Sequence, residues 1–239
     1  MDAAILGEFL GTAVLITLGD GVVAGVLLGK SKAKDAGWIA VTAGWAFAVM
    51  AGVFTARAAG APGFINPVGP FAAVLTGAMP AERALALALA EVAGAFVGAA
   101  VVWLHYLPHW AETTDPAAKL AVFSTGPAVR NPLSNLLAEA IATFVLVFVG
   151  AAILEKEIGR GFVAPLGAAL VWGIGLSLGG PTGYAINPAR DFGPRVAHAL
   201  LPIPGKGPSD WGYAWVPVVG PLVGGGLAAV AAKAVFISS

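Results

Sequence analysis

Six apolar stretches, each about long enough to cross a lipid bilayer, constrain this 239-residue chain more than any other feature. They run over about 4–28, 38–60, 83–105, 134–154, 162–180 and 213–236. A spanning helix needs ~20 mostly apolar residues. Two shorter apolar segments, about 67–78 and 188–200, reach only about half the bilayer at ~1.5 Å per residue. A chain that is 58% hydrophobic and 11% charged has no polar stretch large enough to fold by itself, so residues 1–239 read as one all-α integral membrane domain. The stretch from Ala3 to Leu28 lacks a basic leader, carries Glu8 and is long enough to span, so it reads as a span and not as a secretory signal. With no cysteine there is no disulfide and no thiolate metal site. His105, His109 and His198 have no metal-ligand spacing, and a formal charge of zero without a basic run excludes a nucleic-acid partner. Lys30, Lys32 and Lys34 lie on one side, and Arg57, Arg83, Lys156 and Arg160 on the other, so positive charge does not fix orientation.

The spans are organised by an internal repeat. In "EFLGTAVLITLG" (8–19) and "EAIATFVLVFVG" (139–150), Glu8/Glu139, Thr12/Thr143, Val14/Val145, Leu15/Leu146 and Gly19/Gly150 recur at equal spacing. "INP" recurs at 65–67 and 186–188 in the same order relative to the spans. The halves are about 1–106 and 131–239, joined by a polar, proline-containing connection, 107–130, that reads as an extracellular loop. Three spans per half is an odd number, so the second half enters the membrane inverted. Inverted repeats bring discontinuous helices together at the midplane. Broken backbone at that depth must be buried in protein or line a wet cavity.

Asparagine is a favoured N-cap and proline a favoured first helical residue. Asn66-Pro67-Val68 and Asn187-Pro188-Ala189 therefore read as the starts of two half-helices. Each Asn would accept a backbone N–H and keep its amide NH₂ to donate to a permeant oxygen. The positive ends of two helix dipoles at the same place would oppose cations. Arg190 falls in the first turn of the second half-helix. A buried guanidinium in a membrane usually faces a cavity. Asp191 beside it reads as support for that region. Glu8 and Glu139 read as acceptors that tie down irregular backbone N–H groups next to the half-helices, in preference to proton relays. Asp20 and Glu91 have no repeat equivalent and acquire no role.

"GEFLGT", "VAGAFVGA", "FSTGPAVRN", "GPTGYAINPARDFGPR" and "SDWGYAWVPVVGPLVGG" resemble the major intrinsic proteins over nearly the whole chain. Within that family the resemblance is to glycerol facilitators of Gram-positive bacteria; aspartate directly after the arginine in "NPARDFGP" is the glycerol-conducting pattern. The resemblance implies an aquaporin-like fold of six transmembrane helices and two re-entrant half-helices, one pore per subunit and a homotetramer. It also implies a multi-pass protein of the bacterial cell membrane with cytoplasmic termini. It implies a selectivity filter of Trp45, Gly175, Tyr184 and Arg190. Trp45 and Tyr184 would meet a CH backbone, Arg190 would bind hydroxyls and Gly175 would leave room. Three positions depart from the family pattern. Val68 replaces the usual alanine. Phe64 stands in the place of a common histidine in the cytoplasmic half of the pore. Pro70 cannot donate to the Asn66 carbonyl, so that carbonyl is left free or the half-helix starts late.

The expected function is a passive channel for glycerol and other small uncharged solutes, with some water flux, no cofactor, no metal and no catalytic residue. A channel for a protonated organic acid such as lactic acid is the alternative within the class. A coupled secondary transporter, with Glu8 and Glu139 titrating, is the alternative outside it.

Overall fold

The computed structural model describes residues 2–155 and 160–237. Lys156, used above in the charge comparison, lies outside them. In chain order the helices are α1 (Ala3–Leu27), α2 (Gly37–Ala58), α3 (Val68–Leu75), α4 (Ala81–His105), α5 (Pro116–Phe123), α6 (Pro132–Glu155), α7 (Val163–Leu178), α8 (Pro188–Leu200) and α9 (Val216–Ala232). A 3₁₀ turn covers Leu107–His109, and a π-helical turn, Lys233–Ile237, continues α9.

Five of these helices are long and apolar enough to cross a membrane. The sixth expected span, read over 162–180, is the 16-residue α7, about 24 Å at ~1.5 Å per residue, and so shorter than the others. The first short segment is also shorter than its apolar run: 67–78 yields the eight-residue α3. The connection 107–130 is not plain loop. It folds into the 3₁₀ turn and α5, whose N-cap Asp115 accepts from the Ala117 N–H at 2.8 Å.

Small residues let the helices close up, as is usual where lipid offers no hydrophobic drive for helix association. In α4, Gly94 and Gly98 face α1 so closely that a Cβ there would stand 2.2 Å from the Phe9 carbonyl oxygen and 2.5 Å from that of Ala13. In α9, Gly220 and Gly224 repeat the arrangement against α6, at Glu139 Cβ and the Ala140 carbonyl. The third long helix of each half thus packs on the first through one Gly-x-x-x-Gly. The half-helices are exchanged between halves: α3 packs against α9, and α8 against α4. Leu6, Ile39, Phe54, Leu85, Leu133 and Leu227 are among the large apolar side chains left exposed on the outside, as expected of a lipid-facing surface.

Candidate functional site

The loops entering the half-helices are held by one glutamate each. Glu8 in α1 accepts the Gly63 and Phe64 N–H groups on Oε1, at 2.7 and 3.0 Å, and the Ile65 N–H on Oε2 at 2.7 Å. Glu139 in α6 accepts the Thr182 hydroxyl and the Ala185 N–H on Oε1, at 2.6 and 3.0 Å, and the Ile186 N–H on Oε2 at 2.9 Å. Both carboxylates are fully buried. One turn on, Thr12 and Thr143 donate to the carbonyls of Glu8 and Glu139. Charge-assisted bonds of this kind are about twice as strong as neutral ones. They hold irregular backbone that would otherwise carry unpaired donors in a buried place.

That backbone is strained. Ile65 and Ile186 stand at φ +46°, and Tyr184 at +42°. A β-branched residue in the left-handed region is a true outlier, and such strain collects at functional positions. Here the turn lets the carbonyl of each isoleucine meet the other half. Asn66 Nδ2 donates to the Ile186 carbonyl at 2.9 Å, and Asn187 Nδ2 to the Ile65 carbonyl at 2.8 Å. The two Asn-Pro tips therefore touch. One of the two donors on each amide is committed to this cross-link, so one per amide is left for a solute, where the sequence suggested two.

The two tips are not built alike. Asn187 is a regular N-cap, accepting from Ala189 N–H at 3.0 Å and Arg190 N–H at 3.3 Å, with Pro188 as the first helical residue. At the other tip Asn66 Oδ1 accepts from Val68 N–H at 3.1 Å, and α3 starts only at Val68. The late start goes with Pro70, which has no N–H to donate to the Asn66 carbonyl. The Asn66 carbonyl is not free: it accepts from the Gly69 N–H at 2.9 Å, closing a tighter turn before the helix. Val68 does not project into the pathway. It is 1% exposed and packs on α9, where a Cβ on Gly225 would lie 2.1 Å from its Cγ1.

Two cavities meet at this level. The inner one, about 110 Å³, is walled by Leu15, Val53, Phe64 and Leu146, with Asn66 and Asn187. The outer one, about 500 Å³, is bounded by Val23, Trp38, Ser124 and Thr125. The residues common to both linings are Trp45, Tyr184 and Arg190. The Arg190 guanidinium carbon lies 4.1 Å from the centre of the Trp45 ring. Its NH1 donates to the Phe123 carbonyl at 3.4 Å and stands 4.0 Å from Asp20 Oδ1. Gly175 is not at the wall. A Cβ there would stand 2.9 Å from Tyr184 Cζ and 3.0 Å from Thr42 Cγ2, so its smallness seats the tyrosine ring and does not widen the passage directly. Phe64 is at the wall, and its ring lies over Gly69, where a Cβ would be 2.5 Å away.

Several contributors acquire no role from the sequence alone. Arg195, fully buried, binds Asp191 through Nε at 2.8 Å and NH2 at 3.0 Å, and donates to the Ser209 and Thr125 carbonyls. Asp191 also accepts the Thr125 N–H and hydroxyl at 2.8 and 2.7 Å. This network fastens the segments around Thr125 and Ser209 to α8. A charged residue within an apolar segment was the available signal for Arg195. Trp38 meets the Tyr184 ring edge-on at 5.7 Å and donates its Nε1 hydrogen to the Gly175 carbonyl. Gly19 seats Trp45, since a Cβ there would lie 2.3 Å from the indole. Among the described residues no group of three or more His, Cys, Asp or Glu could hold a metal.

The family described as Major intrinsic protein matches residues 2–231. The chain is 55% identical over 225 residues to the probable glycerol uptake facilitator protein of Thermotoga maritima, covering 94% of this chain and 95% of that one. It is 52% identical over 226 residues to glycerol uptake facilitator protein 3 of Lactiplantibacillus plantarum, covering 95% and 94%. The X-ray structure of the aquaglyceroporin from Plasmodium falciparum superposes with a TM-score of 0.82 over 98% of this chain and 96% of that one, at 24% identity, which speaks for the fold. With its matched helices, paired Asn-Pro tips and near-complete coverage, the chain belongs to the major intrinsic protein family.

Proposed function

We propose that the protein is a passive channel for glycerol and other small uncharged solutes, with some water permeability. The observation that carries this reading is the junction of the two cavities at Trp45, Tyr184 and Arg190. One wall there is aromatic and the other offers guanidinium donors. A linear polyol has the same division, with CH groups along one side and hydroxyls along the other. Arg190 is 7% exposed, so its charge acts in a poorly screened place. Together with the N-terminal ends of α3 and α8 it opposes cations. The free donors on Asn66 and Asn187 would hold a passing oxygen at the tips. Phe64 and the aliphatic wall of the inner cavity favour a solute with a CH face over an ion. The names of the two bacterial relatives point to glycerol in particular.

In this reading Trp45, Tyr184 and Arg190 form the selectivity filter, with Gly175 acting through Tyr184. Glu8, Glu139 and Asp191 are structural supports. The working form is a homotetramer in the bacterial cell membrane, with the segment 107–130 extracellular. In this reading transport needs no cofactor and no coupled ion; Glu8 and Glu139, the pair a coupled transporter would titrate, are engaged with backbone or hydroxyl donors.

Proteoliposomes test this. Under a glycerol gradient with no proton or ion gradient, stopped-flow light scattering should show glycerol flux well above lipid background. Arg190→Ala should change the glycerol-to-water permeability ratio several-fold. Flux at background, or flux that appears only with a proton gradient, would overturn the proposal.

A further inference from the structure

Asp20 is a carboxylate without a stated purpose inside an apolar helix long enough to cross a membrane. It lies in α1, directly after Gly19, and is fully buried. Among the described residues neither Oδ1 nor Oδ2 has a hydrogen-bond partner. An ionisable group left so in a membrane protein is costly, and such groups pair or mark a pathway. The charged group beside it is Arg190, whose NH1 is 4.0 Å from Asp20 Oδ1.

The surroundings are layered. Gly19 brings the α1 backbone against the Trp45 indole. Arg190 stands 4.1 Å from the centre of that ring. Asp20, one residue on from Gly19, reaches Arg190. Among the described residues the guanidinium itself makes one hydrogen bond, a long one of 3.4 Å to the Phe123 carbonyl. Its own neighbour in the chain, Asp191, is taken up by Arg195 and Thr125 and does not hold it. Asp20 is therefore the carboxylate available to fix Arg190.

We propose that Asp20 is a positioning residue for the filter: its buried carboxylate draws the Arg190 guanidinium onto the face of Trp45, and so sets the aperture and the discrimination between glycerol and water. Asp20 lies behind the wall of both cavities and acts through Arg190. The consequence is specific. Without the carboxylate the guanidinium is free to turn toward the passage, where it obstructs a carbon-backbone solute more than it obstructs water.

The inference rests on the reading of Arg190 as the filter cation, and the experiment separates the two. Purified wild type, Asp20→Asn, Asp20→Glu, Arg190→Ala and the double variant Asp20→Asn/Arg190→Ala are reconstituted, and glycerol and water permeability are measured on the same vesicles. The ratio of the two does not depend on how much protein inserts, so a merely structural role for Asp20 leaves it unchanged. The expected result is a three- to tenfold fall in the glycerol-to-water ratio for Asp20→Asn. Asp20→Glu should stay within twofold of wild type. Asp20→Asn should have no further effect on the ratio in the Arg190→Ala background. An unchanged ratio in Asp20→Asn, or an equal effect with and without Arg190, overturns the role of Asp20. An unchanged ratio in Arg190→Ala overturns the filter reading itself. Should Asp20→Asn fail to accumulate, accumulation of the double variant supports the pairing, because removing Arg190 also removes the orphaned charge. Failure of both variants overturns it.

Discussion

The two half-helices start from the same Asn-Pro dipeptide and are tied to equivalent glutamates, yet they differ in almost everything that follows. Helix α3 has eight residues, an apolar composition and a late start, with Val68 and Pro70 as its buried positions. Helix α8 has 13 residues, a regular N-cap and a buried set that includes Arg190, Asp191, Arg195 and His198. What the halves share fixes where the tips meet. What they do not share places a buried arginine–aspartate pair on the α8 side of that meeting point. A guanidinium and a carboxylate can be kept there because Arg195 and Asp191 satisfy each other and three surrounding backbone carbonyls at once, through Thr125, Ser209 and Asp210. Duplication supplied the scaffold, and one copy was elaborated.

The largest effect should come from breaking that elaboration. Asp191→Ala leaves Arg195 buried without its carboxylate, and removing one partner of a buried pair costs about 3–5 kcal/mol. Most of the folded protein should be lost, seen as poor recovery in detergent and a large fall in thermal midpoint followed by tryptophan fluorescence. A variant that accumulates and melts like the wild type would mean that the network is not what holds α8 in place.

The shared supports should matter less, and unequally. Glutamine at either glutamate keeps one acceptor but presents a donor to donors, at about 1–3 kcal/mol for a lost charge-assisted bond. Glu8→Gln disturbs three backbone N–H groups that have no ready substitute. Glu139→Gln disturbs two, with the third bond coming from the Thr182 hydroxyl, which can rotate to another acceptor. The expected order of thermal midpoints is wild type, then Glu139→Gln, then Glu8→Gln. The reverse order would show that the charged half depends on its glutamate more than the apolar half does.

The parts of this arrangement that repeat were legible in the sequence. Recurrence of Glu8/Glu139 and of the two Asn-Pro pairs is independent of contacts, so the chain itself displays it. Trp45, Tyr184 and Arg190 could be named from the family resemblance, and the structure brings them to one level. The unpaired features were not legible. Gly19 recurs as Gly150, but among the described residues no atom of another element lies within 4 Å of where a Cβ on Gly150 would be, whereas Gly19 seats an indole. Val68 reads only as a replacement for the family's usual alanine until Gly225, far along the chain, is seen to receive it. Gly175 reads as space for a solute until Tyr184 is found lying on it. In each case the meaning of a small or large residue is set by a neighbour distant in sequence, which no local pattern reveals. The short α7 has the same origin: an apolar run gives the extent of lipid or protein contact, not the residue at which hydrogen bonding stops.

The smallest effect is expected at Pro70, and it tests where the difference between the half-helices resides. In a regular helix the residue at 70 would donate to the Asn66 carbonyl. That carbonyl is already bonded to the Gly69 N–H, while the next bond, Phe71 N–H to the Pro67 carbonyl at 3.1 Å, is in place. Pro70 therefore leaves no acceptor unpaired, and N–H groups in a first turn are without intrahelical partners in any case. Pro70→Ala should lose only the stiffness that proline gives the unfolded chain, about 0.4–1 kcal/mol. The thermal midpoint should fall slightly and glycerol permeability should be unchanged. A marked change in flux would mean that alanine lets α3 begin at Pro67 behind an Asn66 cap, as α8 begins at Pro188 behind Asn187. The tighter turn would then be a consequence of one proline, and the asymmetry of the two tips would reside in that residue more than in the charged network of α8.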